Sequence, residues 1–256
     1  MNVLILGATS GIGLELARVH AKQGDALFMT GRDSLEMERI VKDIKIRHGE
    51  HSVLFTAPFD ISDAEQVRPL IGKVQTKLGT PDRVYICCGC RPDFHHPLPT
   101  FEQVDAVFET NTVGPIKFAS AFYDAMDKGE MSKIVHISSV HALRHGNERP
   151  LYTASKAALK SFFDGLAKSP RQNKLSVMTV CAGHVDTSRT FGYENIMFAR
   201  SPRKVAKSII KAANAGKNQL YVPGYIRLVL PFEKALLKVA NFFRTSKVDA
   251  AGKPAL

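Results

Sequence analysis

Short apolar runs alternate with longer amphipathic stretches along almost the whole of the 256-residue chain. The short runs carry few charged positions, as expected of strands that are buried on both faces. The longer stretches repeat apolar residues at helical spacing. The predicted strands are Val3–Leu6, Ala26–Met29, Val53–Thr56, Val84–Cys88, Ile134–Ile137, Ser176–Cys181 and Gln219–Val222. The predicted helices are Gly13–Gln23, Leu35–Arg47, Ala64–Leu78, Val113–Met126, Tyr152–Ala167 and Pro202–Ala215.

This alternation predicts an α/β fold, a doubly wound Rossmann-type parallel sheet of about seven strands with helices on both faces. The chain has no internal repeat and no low-complexity linker, and its length is near the upper size for one hydrophobic core. We therefore predict one catalytic domain over residues 1–256, with loops at Gly49–His51 and Asp127–Ser132.

The first predicted strand runs directly into the sequence GATSGIG, Gly7 to Gly13, and then into a helix. Glycines at such a turn let the backbone approach a pyrophosphate, and the helix N-terminus directs its free N–H groups at the phosphates. The alternative is a tight turn that needs glycine for packing alone. The pattern predicts a dinucleotide site, and its residues here are Gly7, Thr9, Ser10, Gly11, Ile12 and Gly13.

The second predicted strand is followed by Gly31 and Arg32, where an acidic residue would bind a ribose 2′-hydroxyl. An arginine suits a 2′-phosphate instead, through charge-assisted hydrogen bonds. We therefore predict NADP (NADPH) in preference to NAD. The alternatives are a surface arginine, or a role for the neighbouring Asp33 in binding the ribose.

The sequence YTASK places Tyr152 and Lys156 four residues apart, on one face of a helix. A nearby positive charge favours the phenolate and makes a tyrosine useful as a general acid or base. Thirteen residues before Tyr152, at the end of an apolar strand, Ser139 can donate a hydrogen bond to a carbonyl. Further upstream, Asn111 is predicted to open a helix in TNTVG.

With these residues in order, the chain resembles the short-chain dehydrogenase/reductase family over nearly its whole length. GATSGIG resembles the cofactor turn, with Leu6 where threonine is usual, and TNTVG resembles the N-x-x-G motif. CAGHVDT resembles the segment after strand six, with Cys181 and Ala182 in place of Asn-Pro. The resemblance implies the catalytic residues Asn111, Ser139, Tyr152 and Lys156. It adds to the cofactor site Asp60, Ile61, Gly89, Tyr152, Lys156, Val185 and Thr187.

The implied reaction is hydride transfer between NADPH and a carbonyl/alcohol pair. Ser139 would hydrogen-bond the carbonyl, and Tyr152 would protonate the developing alkoxide. Lys156 would lower the pKa of the tyrosine and bind the nicotinamide ribose, and Asn111 would hold a water that links the lysine to solvent. The resemblance also implies a homodimer or homotetramer.

Three of the four cysteines lie within YICCGC, where Cys87 and Cys90 have C-x-x-C spacing. The segment aligns with the family's N-N-A-G motif, so we predict Cys87 and Cys88 to be small apolar fillers beside the cofactor. A metal site would need a second ligand pair, and a redox pair would need a thioredoxin-like context. We predict no metal. Four cysteines so placed do not form a disulfide framework, and this indicates a reducing cytoplasm.

The formal charge of +11 favours anionic partners, although basic residues spread over a solvated surface are the preferred explanation. No motif for nucleic-acid binding is present, and we predict none. No apolar run reaches the roughly 20 residues needed to span a bilayer. The start of the chain lacks the pattern of a signal peptide. The resemblance implies that His141, His145 and His184 lie near the substrate, where they either tune its binding or are structural or solvated. His95 and His96 lie in the proline-rich loop after strand four.

After Pro231 the apolar residues recur at helical spacing, and residues 224–247 are predicted to form an amphipathic helical tail. The tail either docks on the protein or lies at a membrane surface with its lysines toward anionic headgroups. Together with the apolar side chains in Ser188–Ser201, it predicts an apolar or amphiphilic substrate. The alternatives are the reductase half of a lipid-linked sugar epimerisation, or a non-catalytic NADP-binding sensor or scaffold. The predicted location is cytoplasmic, with peripheral contact at the inner membrane face as the alternative.

Overall fold

The computed structural model describes most of the chain, in seven segments. They are residues 1–49, 53–91, 98–127, 129–143, 149–169, 174–187 and 199–229. Several predictions lie outside them: His95, His96, His145, most of the predicted substrate loop, and the tail after residue 229. Within the described segments, no helix combines the length and the apolar character needed to cross a bilayer.

Seven parallel strands form one sheet. They are β1 (Asn2–Leu6), β2 (Ala26–Gly31), β3 (Leu54–Pro58), β4 (Arg83–Ile86), β5 (Ser132–Ser139), β6 (Leu175–Ala182) and β7 (Gln219–Val222). Their order across the sheet is β3-β2-β1-β4-β5-β6-β7. The predicted parallel sheet is therefore confirmed. β1 and β4 are neighbours, and the chain direction across the sheet reverses between them, which is where an open α/β sheet forms its ligand crevice.

In the described segments, seven α-helices connect the strands. They are α1 (Gly11–Lys22), α2 (Ser34–His48), α3 (Val67–Leu78), α4 (Phe101–Phe108), α5 (Gly114–Ala125), α6 (Pro150–Leu166) and α7 (Pro202–Asn214). Successive side chains of a strand point to opposite faces of a sheet, and β1 shows this directly. Val3 and Ile5 belong to the core that contains α1, α2 and α7. Leu4 and Leu6 belong to the core that contains α3, α5 and α6. Helices therefore cover both faces, as predicted.

The helix before β5 begins much earlier than predicted. Thr100 and Gln103 form a reciprocal capping box, in which the Gln103 N–H donates to the Thr100 hydroxyl and the Thr100 N–H donates to Gln103 Oε1. The helix that starts there continues through a π-helical turn at Glu109–Val113 into α5. The prediction that Asn111 opens a helix is therefore wrong, because Asn111 lies inside a helical segment, at its wider turn.

Candidate active site

The glycine-rich turn after β1 is built so closely that side chains are excluded at two positions. Gly7 has a φ of +83°, and a Cβ there would lie 3.0 Å from the Cys88 nitrogen. A Cβ on Gly13 would lie 2.3 Å from the Gly7 oxygen. Ser10 caps α1 by accepting a hydrogen bond from the Gly13 N–H at 3.1 Å. The backbone N–H groups at the start of α1 therefore border an open cradle, which is the arrangement that a pyrophosphate fits.

Across the cradle, the segment after β6 approaches the same turn. The Gly183 N–H donates to the Val222 oxygen at 2.7 Å, and Val185 pairs with Arg200 in a short parallel bridge. Thr187 is brought so close to Gly11 that a Cβ on that glycine would lie 2.5 Å from the threonine methyl carbon. Cys181 and Ala182 form the end of β6 itself. This segment is thus positioned over the start of α1.

At the end of β2, the neighbouring Arg32 and Asp33 interact with different parts of the protein. The Asp33 carboxylate caps α2, accepting a hydrogen bond from the Glu36 N–H at 3.0 Å. Arg32 is 77% exposed, and its guanidinium lies 3.8 Å from an Asp60 carboxylate oxygen. Burial raises the pKa of Asp60, but hydrogen bonds from Ser62 and the charge of Arg32 outweigh it, so the carboxyl is more acidic than usual. The cleft at this end therefore presents a cationic fork beside an ionised carboxylate.

On the other side of the cleft, α6 and the end of β5 bring together the predicted tyrosine, lysine and serine. Lys156 is almost fully buried, and its ammonium group donates to the Ile137 oxygen at 3.4 Å. Ser139 Oγ accepts a hydrogen bond from the His141 N–H at 3.2 Å. The rings of His141 and Tyr152 meet edge to face, with centroids 5.9 Å apart. Ser139 and Tyr152 therefore lie in the lining of the same cleft.

Asn111 holds the segment after β4 against α6. Its Oδ1 accepts from the Cys90 N–H at 2.8 Å, and its Nδ2 donates to the Cys90 oxygen at 2.9 Å and to Ser155 Oγ at 3.0 Å. The side chain is fully buried. A Cβ on Gly89 would lie 3.1 Å from both Asn111 Oδ1 and the Lys156 ammonium. A Cβ at position 89 would therefore make tight contacts with both groups, and the glycine lets them approach without displacement.

One cleft of about 290 Å³ joins these parts. Its lining includes every predicted cofactor-binding and catalytic residue except Gly13 and Asn111, which support the cleft from behind. The structure adds lining residues that were not predicted from the sequence, such as Phe59, Arg91, Thr110 and Val140. Among the residues that the structure describes, no three His, Cys, Asp or Glu side chains come together in a group able to hold a metal ion.

A buried polar network lies beneath the cleft, between α6 and the sheet. Thr179 donates to Asp164 at 2.7 Å, and Lys160 contacts the other oxygen of that carboxylate. His136 Nε2 lies 2.9 Å from the Thr179 hydroxyl. Because that hydroxyl already donates to Asp164, we assign the Nε2–H tautomer, and Nδ1 has no hydrogen-bond partner. Burial, and then the charge of Lys156, lowers the pKa of His136 to about 3.

A family model for the short chain dehydrogenases matches residues 1–196, more than half of the chain. The chain belongs to this family. Membership makes it an NAD(P)-dependent dehydrogenase/reductase and confirms the family resemblance that the motifs suggested.

Similar sequences and solved structures agree with this family assignment. Dehydrogenase/reductase SDR family member 7B of Xenopus laevis is 28% identical over 262 residues, covering 94% of this chain and 79% of the relative. An uncharacterized oxidoreductase of Staphylococcus saprophyticus is 28% identical over 184 residues, covering 72% of this chain and 78% of the relative. A short chain dehydrogenase/reductase from Burkholderia phymatum, solved with NAD, superposes with a TM-score of 0.80 at 18% identity, over 93% of this chain and 94% of its own.

A second solved structure, actinorhodin polyketide ketoreductase with NADPH, gives a TM-score of 0.78 at 23% identity, over 88% of this chain and 96% of its own. At such identities the likeness concerns the fold, which these structures share with the seven-stranded sheet described above. The Rossmann-type fold class predicted from the sequence is therefore confirmed.

Proposed function

We propose that this protein is an NADP-dependent oxidoreductase that transfers hydride between NADPH and a carbonyl/alcohol pair on an apolar or amphiphilic substrate. One observation carries the proposal. The cleft that begins at the glycine cradle and Arg32 ends at Ser139, Tyr152 and the buried Lys156. A phosphate cradle and a proton-donating group thus lie along the walls of the same cleft.

The chain's own residues supply the proton and the geometry. Ser139 Oγ, oriented by the His141 N–H, donates to the substrate oxygen. Tyr152 gives its phenolic proton to that oxygen as negative charge develops on it. The Lys156 ammonium is held in place by the Ile137 oxygen, and its charge favours the phenolate that remains. The nicotinamide, when bound, supplies the hydride.

Asn111 acts in this proposal by positioning. Its amide already makes three hydrogen bonds, to both backbone groups of Cys90 and to Ser155. This favours a role in fixing Gly89 beside Lys156 over the water-holding role that the family resemblance implies. The remaining predicted residues, including Asp60, Ile61, Val185 and Thr187, line the cofactor end of the cleft and are proposed to contact the dinucleotide.

The preference for NADP is supported by the environment of two side chains. Asp33 is engaged as the cap of α2 and is not part of the cleft lining. The Arg32 guanidinium lies at the mouth of the cleft, mostly exposed, where it can form a charge-assisted pair with a 2′-phosphate. An arginine there gives little advantage to NAD, which lacks that phosphate.

The chemistry is tested by NADPH oxidation with a panel of ketones of increasing apolar length. Tyr152→Phe should lower turnover by roughly 10²–10⁴-fold, the range for loss of a general acid. Tyr123→Phe is the matched control, because Tyr123 lies on α5 outside the cleft, under the ammonium of Lys174. Wild-type turnover in the Tyr152 variant would refute the assigned role. Unaltered biological effect without turnover would favour the sensor or scaffold instead.

One surface favours a second candidate function, the reductase half of a lipid-linked sugar epimerisation with peripheral membrane contact. After β7 a short turn and helix expose the apolar side chains of Tyr225, Leu228 and Val229. Ile226 from the same segment packs on Val140, which lines the cleft. Sedimentation with anionic liposomes tests this proposal, and Leu228→Glu should reduce binding. Failure of the wild-type protein to sediment with the liposomes would contradict it.

We also propose that the chain forms a homodimer or homotetramer. Support comes from Leu98, which precedes α4, and Phe101, its first residue, large apolar side chains that are strongly exposed in the single chain. Light scattering measures the assembly directly, and Phe101→Lys should shift it toward the monomer. A wild-type protein that is monomeric at micromolar concentration would contradict this proposal.

A further inference from the structure

Three thiols line the cleft where the chain leaves β4. They belong to Cys87, Cys88 and Cys90. Cys88 Sγ lies 3.1 Å from the position that a Cβ on Gly7 would occupy, so this sulfur borders the phosphate cradle. Cys90 Sγ lies on the α4 side, 3.9 Å from the Ala106 oxygen. The two sulfurs thus border the path that a dinucleotide takes between the cradle and Lys156.

The backbone of this segment is held on both sides. The Cys87 N–H donates to the Leu6 oxygen at 2.8 Å, which ties the segment to β1. Asn111 pairs with both the N–H and the oxygen of Cys90. Gly89 is confined between Asn111 and Lys156. Because these contacts hold the backbone and both residues line the cleft, we expect a bulky group added to either sulfur to occupy part of the cleft.

The four cysteines differ in accessibility. Cys88 and Cys90 are partly exposed, whereas Cys87 and Cys181 are buried. Burial raises the pKa of Cys181 to about 11, which makes that thiol a poor nucleophile. The chain therefore contains its own internal reference for an unreactive cysteine, at the end of β6.

We propose that Cys88 and Cys90 form a thiol modification site, at which reaction with a small disulfide and binding of the dinucleotide exclude each other. The inference rests on the proposed function, since it takes the cleft to be the NADPH site. It gives the sequence CCGC a role beyond that of apolar filler. The protein would then lose its cofactor under oxidising conditions and be shielded while the cofactor is bound.

The exchange balances with one added reagent, a disulfide such as oxidised glutathione. The cysteine thiol releases its proton to solvent, and the resulting thiolate attacks one sulfur of the reagent. The S–S bond of the reagent breaks as the new S–S bond to cysteine forms. The protein sulfur is oxidised, and one glutathione leaves reduced, as its thiolate. Excess dithiothreitol reverses the exchange.

Peptide mass mapping of the reduced full-length chain tests the site. After incubation with oxidised glutathione, the added mass should appear on Cys88 or Cys90 and not on Cys181. Saturating NADPH should slow that modification by roughly tenfold or more, because few protein molecules then have an unoccupied cleft in which the thiols can react. Modification at an unchanged rate in the presence of bound NADPH would overturn the proposal, as would the absence of modification at both cysteines.

Fluorescence titration with NADPH, before and after the treatment, gives the second readout. The affinity of the modified chain should fall by about tenfold or more and return with dithiothreitol. The Cys88→Ser/Cys90→Ser double variant should show the same affinity treated and untreated, whereas Cys181→Ala should respond as the wild type does. Full modification with unchanged affinity would overturn the inference. Failure of the untreated wild type to bind NADPH would instead refute the proposed function, so the two failures are distinct.

Discussion

The buried imidazole beneath the active site predicts a specific loss of stability in acid. His136 is fully buried between the sheet and α6, stacked on Phe163, with its Nε2–H directed to Thr179. Protonation would place a second N–H on Nδ1, which has no acceptor, close to the positive charge of Lys156. The folded protein therefore holds this residue neutral, whereas the unfolded chain does not.

The magnitude follows from the two pKa values of His136, about 3 in the folded chain against an ordinary 6.5. Above pH 6.5 the His136 imidazole is neutral in both the folded and the unfolded chain, so it makes no pH-dependent contribution to stability. As the pH falls below 6.5, only the unfolded state takes up the proton, so folding stability declines until about pH 3. At pH 5 the decline is roughly 1.5 pKa units, or about 2 kcal/mol.

Urea unfolding of the wild type and of His136→Gln, each at pH 7.5 and pH 5, measures this contribution of His136 to the free energy of unfolding. The glutamine keeps a donor for Thr179 and cannot titrate. The variant is expected to be less stable at pH 7.5, since it loses the ring stacking, but its free energy of unfolding should fall by about 2 kcal/mol less on going to pH 5. Buried His20 and the carboxylates are common to both proteins and cancel in the difference.

Parallel loss of stability in the two proteins would refute the reasoning. An independent check is NMR of the folded protein with labelled histidine. The His136 signal should not titrate between pH 8 and pH 5, and a midpoint near 6.5 would mean that the imidazole is hydrated or partnered in solution.

Three further predictions concern the cleft. Arg32→Ala should weaken NADPH binding by about 10- to 100-fold and leave NADH binding unchanged, because a hydrogen bond to a charged group contributes ~1.5–3 kcal/mol. Fluorescence titration measures this, with the equally exposed Arg39→Ala on α2 as control. Gly13→Ala should destabilise the fold and abolish cofactor binding, since its Cβ would meet the oxygen of Gly7. Gly72→Ala in α3 is the matched control, because no atom would lie within 4 Å of the added Cβ. It should stabilise the fold by up to about 1 kcal/mol, so the two variants should shift the thermal unfolding temperature in opposite directions. Asn111→Ala should lower kcat of the reduction, and Asn111→Asp should recover little, because it cannot donate to the Cys90 oxygen; wild-type kcat in both would contradict the positioning role.

The sequence alone determined the features that are encoded over a few neighbouring residues. Apolar runs of strand length and helical periodicity predicted the seven strands and, among the helices that the structure describes, all except α4, because each pattern reflects the local geometry of one element. The turn from Gly7 to Gly13 and the four-residue spacing of Tyr152 and Lys156 are local in the same sense. Even α4 had a local signal, the capping pair of Thr100 and Gln103.

The tertiary structure decided which distant segments meet. Asn111 and Lys156 converge on Gly89 from two helices, so that a Cβ there would make tight contacts with both, and the sequence around position 89 does not encode that contact. Likewise, the low pKa of His136 depends on burial and on a lysine 20 positions away in the chain. Such properties arise from the order of the strands across the sheet, since β1, β4 and β5 become neighbours only when the chain has folded.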